Sequence, residues 1–438
     1  MGIMYLTTHP GGVQSSVEMG IPNDFTHPGG VRRLLGRISK IPAHPSGVRN
    51  LFWNTFSTEL YTPTGCKFKI IPHFYRITKY IIPLIVAALA VPATASLPPP
   101  PDAALIPPSD PNIRYTGRFD TQNPQNVRFD RPGNMIELRF GGSSCAIRVR
   151  GDGGRYDISI NDSTFVTRFD TSENVRQLVS GLDASSVHNL RIFKRFEGLK
   201  NQVAELKGFY VDEGQTSHPL PHPRPSRRIE LIGGSNLLGF GVEADTIHCD
   251  APAAYSNAAL AFGFIAARTL GAEAHMAAMT GKGLVRNWRS PFITAPRPFG
   301  PHYTRTINSD STSRWDFSSW TPHVVVTNFG TNDFSTHPYP PKEVYIAQYR
   351  NFLYEVWGRY PKAHIVCVAS AREPVRTYIR EFVERERAEG NALIHFYTYA
   401  AVPRRLSGCD WHPNVEAQAR IGAELAEVIG AILEGAGE

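Results

Sequence analysis

The sequence predicts an α/β protein with a doubly wound, mostly parallel sheet, preceded by a β-sandwich. Three observations predict it. From Ile229 to Leu433, strand-like and helix-like segments alternate, the pattern of parallel strands joined by helical crossovers. Over residues 112–215 the apolar period is two, with turn residues between the runs and no helical stretch. Two proline-rich stretches, 96–111 and 216–227, read as linkers, so the plan is an N-terminal extension (1–95), a β domain (112–215) and an α/β domain (228–438).

The extension comes first. Residues 1–70 show no sustained periodicity. They hold a loose repeat, His9-Pro10-Gly11-Gly12-Val13, His27-Pro28-Gly29-Gly30-Val31 and His44-Pro45-Ser46-Gly47-Val48. Histidines in a Pro/Gly-rich tract lack the partners that orient metal ligands, so no metal site is expected. Residues 76–95 run from Arg76 and Lys79 through an apolar core, Ile81 to Val91, to Ala93-Thr94-Ala95-Ser96. That is the order of a secretory signal, with cleavage after Ala95 and an extracellular product; a type II anchor and an Arg-rich transit peptide are the alternative readings. On that reading residues 1–70 lie upstream of the natural start. The apolar core is too short to span a bilayer, which takes about 20 residues. No stable membrane insertion is expected.

The chain carries 46 Lys/Arg and 39 Asp/Glu. Nine of the former and three of the latter fall in residues 1–80, leaving 37 against 36 for the rest. A nearly neutral body gives no pull toward nucleic acid. None of the five cysteines forms a C-x-x-C pair, which argues against a structural zinc. Cys145 and Cys367 sit in apolar runs and read as buried. Cys249 and Cys409 lie in loops and are free to pair if the chain is secreted.

In the β domain Ile136, Leu138 and Phe140 alternate with Glu137 and Arg139, and Cys145, Ile147 and Val149 with Ala146, Arg148 and Arg150. Asn161-Asp162-Ser163 is an N-glycosylation pattern at a hairpin tip. In the α/β domain the expected strands are Ile229–Ile232, Ala272–Met279, Val324–Asn328, His364–Ala369 and Leu393–Tyr397. The expected helices are Ala253–Leu270, with Tyr255 on its inner face, Lys342–Trp357, Tyr378–Ala388 and Asn414–Leu433.

Chemistry-bearing residues cluster at three strand ends. Ser235 follows Gly233-Gly234, whose lack of Cβ permits a sharp turn at positive φ. Gly330-Thr331-Asn332-Asp333 follows the buried strand ending at Asn328, and Asp410-Trp411-His412-Pro413 precedes the last helix. Open α/β sheets bind ligands at such ends. A serine nucleophile needs a base within hydrogen-bond reach. His412 supplies one, and Asp410 is the candidate to orient the imidazole. The Ser235 N–H, the Asn332 amide and a glycine N–H are candidate donors for an oxyanion.

These four stretches, G-G-S-N, Met279 to Asn287, G-T-N-D and D-W-H-P, resemble the blocks of the SGNH, or GDSL-like, hydrolases. The closer resemblance, over residues 110–435, is to carbohydrate esterase family 2. It implies a jelly-roll β domain before an SGNH-type, flavodoxin-like sheet. It further implies removal of O-acetyl groups from plant cell-wall polysaccharides or oligosaccharides such as xylan and glucomannan, with no cofactor and no metal. By that resemblance the third oxyanion donor is Gly281, with Gly283 the alternative. Some members of the family orient the histidine through a group other than the aspartate. Trp288, Phe334 and Trp411 lie in or beside the motif loops and are candidates to stack on a sugar ring. The first block departs from the usual G-D-S, since Gly234 replaces an aspartate that orders the turn, and a lower rate is the expected consequence. The expected partner is an acetylated glycan, and a monomer is expected. Two other readings fit the sequence: a glycan-binding protein that has lost catalysis, and an SGNH esterase for lipids or small esters.

Overall fold

The structure is a computed structural model. It describes residues 102–435 and four short strands nearer the N-terminus. The chain divides into two compact units, Met1–Ala93 and Thr94–Glu438. In the first, Ile3–Leu6 pairs antiparallel with Val17–Gly20, and Glu59–Tyr61 with Lys67–Lys69. The sequence reading expects no strands there, because runs of three or four residues are too short to show a period. The three His-Pro repeats and the signal-like segment 76–95 lie outside the described residues.

In the second unit, the first half consists of two antiparallel sheets, one of six strands and one of five. Ile136, Leu138, Phe140, Tyr156 and Ile158 of the first sheet share one core with Ile147, Val149, Leu206 and Phe209 of the second. The alternation in the sequence is therefore the alternation of inner and outer faces. Both proline-rich stretches contribute short strands rather than serving only as linkers. Ala104–Ile106 pairs with Phe209 to Val211, and Ser217–His218 with Phe140 and Arg139. At the hairpin tip, Asn161 has φ 49°. Its amide donates to His188 Nδ1 (3.1 Å) and its Oδ1 accepts from the Asn189 N–H (2.9 Å), so the glycosylation pattern falls on a side chain the hairpin already uses.

The second half is an α/β layer with five parallel strands: β1 (Arg228–Gly233), β2 (Glu273–Ala278), β3 (Val324–Asn328), β4 (His364–Ala369) and β5 (Ile394–Thr398). Their order is β2-β1-β3-β4-β5, the flavodoxin-like order whose switch point lies between β1 and β3. The helices are α1 (Phe262–Thr269), the short α2 (Gly300–Tyr303), α3 (Lys342–Arg359), α4 (Val375–Ala388) and α5 (Val415–Gly435). One core joins Leu231, Val326 and Val366 to Phe262, Ile421 and Leu425 of α1 and α5. The other joins Ile232, Val325 and Ile365 to Tyr349, Phe352 and Ile379 of α3 and α4. Successive strand residues thus face opposite helical layers, which is why these strands read as continuous apolar runs. Tyr345 is fully buried on α3, while Ile346, expected inside, is half-buried.

The helix expected from Ala253 starts only at Phe262; two 3₁₀ turns, Pro252–Tyr255 and Ala258–Leu260, precede it. Long-range partners divert the groups a helix would use. The Ala258 N–H donates to the Arg195 carbonyl (2.7 Å), the Ser256 hydroxyl accepts from the Gly241 N–H (2.8 Å), and the Asn257 side chain caps Ala259. Tyr255 is accordingly exposed.

The two halves are joined through buried charge. Arg118, fully buried, donates to Glu230 Oε1 of β1 (2.7 Å) and to the Arg305 carbonyl (3.0 Å). The Tyr303 hydroxyl satisfies the other Glu230 oxygen (3.0 Å). Removing one partner of such a pair leaves an uncompensated buried charge. Arg118→Ala is therefore expected to lower unfolding free energy by about 3–5 kcal/mol, read from the denaturant midpoint. A loss below about 1 kcal/mol, the scale of an exposed pair, would show that the junction does not depend on it.

Candidate active site

Ser235 stands directly beyond β1, at the switch point, and is 8% exposed. Neither preceding glycine has positive φ, so the expected reason for them is corrected: close approach to backbone requires Gly233, and Gly234 sits in tight contact with a side chain. A Cβ on Gly233 would lie 2.6 Å from the Asn328 carbonyl oxygen, and one on Gly234 3.1 Å from Asn332 Nδ2. The turn is ordered without an aspartate. The Gly234 carbonyl accepts from the N–H groups of Leu237 (3.1 Å) and Leu238 (3.3 Å), and the Ser235 carbonyl from Phe240 (3.1 Å).

His412 arrives from the other end of the chain, just before α5. Its Nε2 lies 2.7 Å from the Ser235 hydroxyl. Its Nδ1 lies 3.0 Å from the carbonyl oxygen of Cys409. A carbonyl only accepts, so Nδ1 carries the hydrogen and the Nε2 lone pair faces the hydroxyl. That is the tautomer a general base needs. The expected orienting role of Asp410 is therefore corrected: the hydrogen bond runs to a backbone carbonyl. Asp410 is exposed with φ 49°, and this left-handed turn puts the preceding carbonyl, not the carboxylate, against the ring. Burial lowers the His412 pKa below the ordinary 6.5, while the Cys409 carbonyl and then the Asp410 charge act in the opposite direction. The Phe240 ring lies 4.6 Å from the imidazole, centroid to centroid.

A small polar hollow over the serine is lined by Gly234, Ser235, Lys282, Gly330 and Asn332 among others. Asn332 Nδ2 donates to the Lys282 carbonyl (2.7 Å). That bond uses one of its two amide hydrogens and fixes the plane of the group. Of the two glycine candidates, Gly283 donates its N–H to Asn287 Oδ1 (3.3 Å). Gly281 has φ +73°, and its carbonyl accepts the Trp288 N–H (2.8 Å). Its own N–H has no partner among the described residues.

Two residues that sequence reasoning passed over hold this loop. Buried Asp333 accepts from the N–H groups of Val285 (2.7 Å) and Arg286 (3.0 Å), and burial raises its pKa to about 6. Glu197, from the β half, accepts the Thr280 N–H (3.0 Å). Asp333 stood within the G-T-N-D motif as a signal; Glu197 had none. The stacking candidates separate. Phe334 is fully buried against Tyr345 and Tyr378 (5.0 and 5.9 Å) and cannot meet a ligand. Its place after the motif sets it on the core side of the loop. Trp288 and Trp411 are 51% and 59% exposed, on the two loops that carry Gly281 and His412.

The disulfide that the sequence left open is present: Cys249 is bonded to Cys409. Cys145 and Cys367 are free and buried, as expected.

A serine–histidine pair at the switch point of a flavodoxin-like sheet, with an asparagine amide beside it, is the arrangement expected of an SGNH-type hydrolase. The profile described as carbohydrate esterase 2 N-terminal matches residues 115–221. The chain is 31% identical over 338 residues to the cellulase/esterase CelE of Acetivibrio thermocellus, covering 73% of this chain and 40% of that protein, so it spans about two fifths of CelE. It is 25% identical over 320 residues to an acetylxylan esterase/glucomannan deacetylase of Cellvibrio japonicus, covering 69% of this chain and 86% of that one. The solved structure of a family two carbohydrate esterase from Clostridium thermocellum in complex with cellohexaose superposes with a TM-score of 0.67 at 29% identity, over 74% of this chain and 99% of that one. The chain is thus similar to family 2 carbohydrate esterases across both its β half and its α/β half.

The geometry sets three expectations. Asp410→Asn should leave kcat/KM within about threefold of wild type, against the ~10⁴ lost when an orienting carboxylate is neutralised; a loss on that larger scale would return the role to the side chain. The acid limb of kcat/KM should fall below pH 6.5, because lowered basicity keeps His412 neutral to lower pH, and a midpoint above 6.5 would contradict it. Gly234→Asp brings a Cβ to 3.1 Å from the Asn332 amide, and a lower kcat is expected where that amide is pushed from its place. A faster enzyme would mean that the usual aspartate fits.

Proposed function

We propose that the chain is a serine esterase that removes O-acetyl groups from plant cell-wall polysaccharides or oligosaccharides, xylan and glucomannan among them. The observation that carries the reading is the 2.7 Å contact of Ser235 Oγ with His412 Nε2, whose tautomer the Cys409 carbonyl sets.

In this mechanism His412 Nε2 takes the Ser235 proton as Oγ attacks the acetyl carbonyl carbon. The oxyanion forms over the hollow and accepts hydrogen bonds from the Ser235 N–H, the Gly281 N–H and the free hydrogen of the Asn332 amide. The protonated imidazole then donates to the departing sugar oxygen, and an acetyl-serine remains. Water, deprotonated by the same Nε2, attacks that ester and releases acetate. Trp288 and Trp411, exposed on either carrying loop, stack on the pyranose face. The similarity to the family 2 esterases supports the acetylated-glycan substrate.

The β half is read as a jelly-roll companion domain, with the boundary to the hydrolase domain within residues 216–227. The reading also places the protein outside the cytosol, where a disulfide persists. Among the described residues no helix is long and apolar enough to cross a membrane.

Acetate release from acetylated xylan and glucomannan tests the proposal. Ser235→Ala and His412→Ala should each remove nearly all turnover, and the double variant should be little worse, because the pair acts as a unit. Asn332→Ala should cost about 10²–10³ in kcat, the scale of one oxyanion donor. Wild-type rates from folded Ser235→Ala would sink the assignment.

A further inference from the structure

The carbonyl that orients His412 belongs to a half-cystine. Cys409 is fully buried, and its partner Cys249 lies 160 residues earlier, half-buried, in the loop that follows the serine turn. That carbonyl accepts twice from His412: from the backbone N–H (3.0 Å) and from Nδ1 (3.0 Å). The direction of one peptide unit therefore fixes both the main chain and the ring of the base.

What fixes the peptide unit is the crossing of two loops. The Cys409 N–H donates to the Gly241 carbonyl (3.3 Å), the Asp410 N–H to Ile247 (2.9 Å), and the Gly408 N–H to the His412 carbonyl (2.7 Å). The loops touch so closely that a Cβ on Gly241 would lie 2.3 Å from Cys409 Cβ, and one on Gly408 2.2 Å from the Gly241 carbonyl oxygen. Asp410 and Trp411, between the half-cystine and the base, both have positive φ (49° and 64°). Such backbone persists only where its surroundings over-determine it. The covalent bond from Cys409 to the Cys249 loop sits at this crossing.

We propose that the Cys249–Cys409 disulfide is a positioning element for catalysis: it holds the Cys409 carbonyl against His412 Nδ1, so that breaking it lowers turnover without abolishing the fold. The inference rests on the esterase reading above. Cys249 touches neither the serine nor the base, and its replacement leaves the Cys409 backbone in place chemically.

The test uses the full chain on 4-nitrophenyl acetate and acetylated xylan. Cys249→Ser should lower kcat by about 10- to 100-fold, the scale of a misplaced catalytic group, with KM essentially unchanged. In protein carrying ¹⁵N-histidine, the His412 Nδ1–H should be protected from solvent exchange in the wild type and lose that protection in the variant. A loss of packing alone would not produce that pair of changes. A second arm needs no variant. Dithiothreitol reduces the Cys249–Cys409 bond to two thiols and is itself oxidised to its cyclic disulfide; activity should fall with reduction and return on reoxidation.

Unchanged kcat in both arms overturns the inference, as does a kcat loss confined to material that has lost near-UV circular dichroism. Ser235→Ala, measured alongside, separates the two levels. Wild-type activity there overturns the esterase reading and this inference with it. An inactive Ser235→Ala with a fully active Cys249→Ser overturns this inference alone.

Discussion

The hydrogen bond between His412 Nδ1 and the Cys409 carbonyl is the contact on which the site depends. A carboxylate in that place would orient the ring and balance its charge. A carbonyl orients it equally well but offers only a dipole, so placement has to be secured by the backbone. The chain secures it with a left-handed turn at Asp410 and Trp411, a conformation that costs non-glycine residues roughly 1–2 kcal/mol each. The glycine crossing at 241 and 408 and a cross-link to a distant loop keep that turn in place.

The β half takes part in the same construction. The strand ending at Lys194 runs straight into Arg195, Phe196 and Glu197, and each reaches a different loop of the site. The Arg195 carbonyl holds Ala258 in the segment after the serine turn, the Phe196 ring lies 5.9 Å from that of Phe240, which packs on His412, and Glu197 holds Thr280 beside Gly281. Three consecutive residues thus tie the serine segment, with the Phe240 ring that packs on His412, and the oxyanion loop to the end of one central strand. The buried Arg118–Glu230 pair fixes the sheet from which the serine itself projects.

Much of this was legible because it follows from periodicity. Strands buried on two faces show as continuous apolar runs, and sandwich strands as alternation, so both halves could be read. Ser235, Asn332 and His412 stood at strand ends, where the fold brings them together. What could not be read depends on orientation or on distant partners. Phe334 and Asn332 are two residues apart, yet one faces the core and the other the hollow. Asp410 is adjacent to the orienting carbonyl, and only the sign of its φ decides which oxygen meets the ring. The start of α1 moved because Arg195 and Gly241, both remote in sequence, took the hydrogen-bonding groups of residues 256–258. The glycines before Ser235 were legible as glycines, but their cause, contact with Asn328 and Asn332, lies on another strand and the loop after it.

The electrostatics of the site follow one pattern. The group that orients the base is neutral, and the candidate oxyanion donors are amides. Asp333, the carboxyl next to Asn332, has a pKa raised to about 6 by burial and turns one oxygen to two N–H groups. The Lys282 ammonium is drawn away to the Arg297 carbonyl (2.7 Å). An ester of a neutral sugar brings no charge of its own. The charges that matter in the proposed reaction are then the two it creates, the oxyanion and the imidazolium, and each is met by dipoles already aimed at it. Fixed dipoles need no reorganisation when charge appears, but they act only over short range and in the right direction. A site of this kind gains little from extra charge and loses much from displacement, which is why so much of the surrounding chain is devoted to holding two loops still.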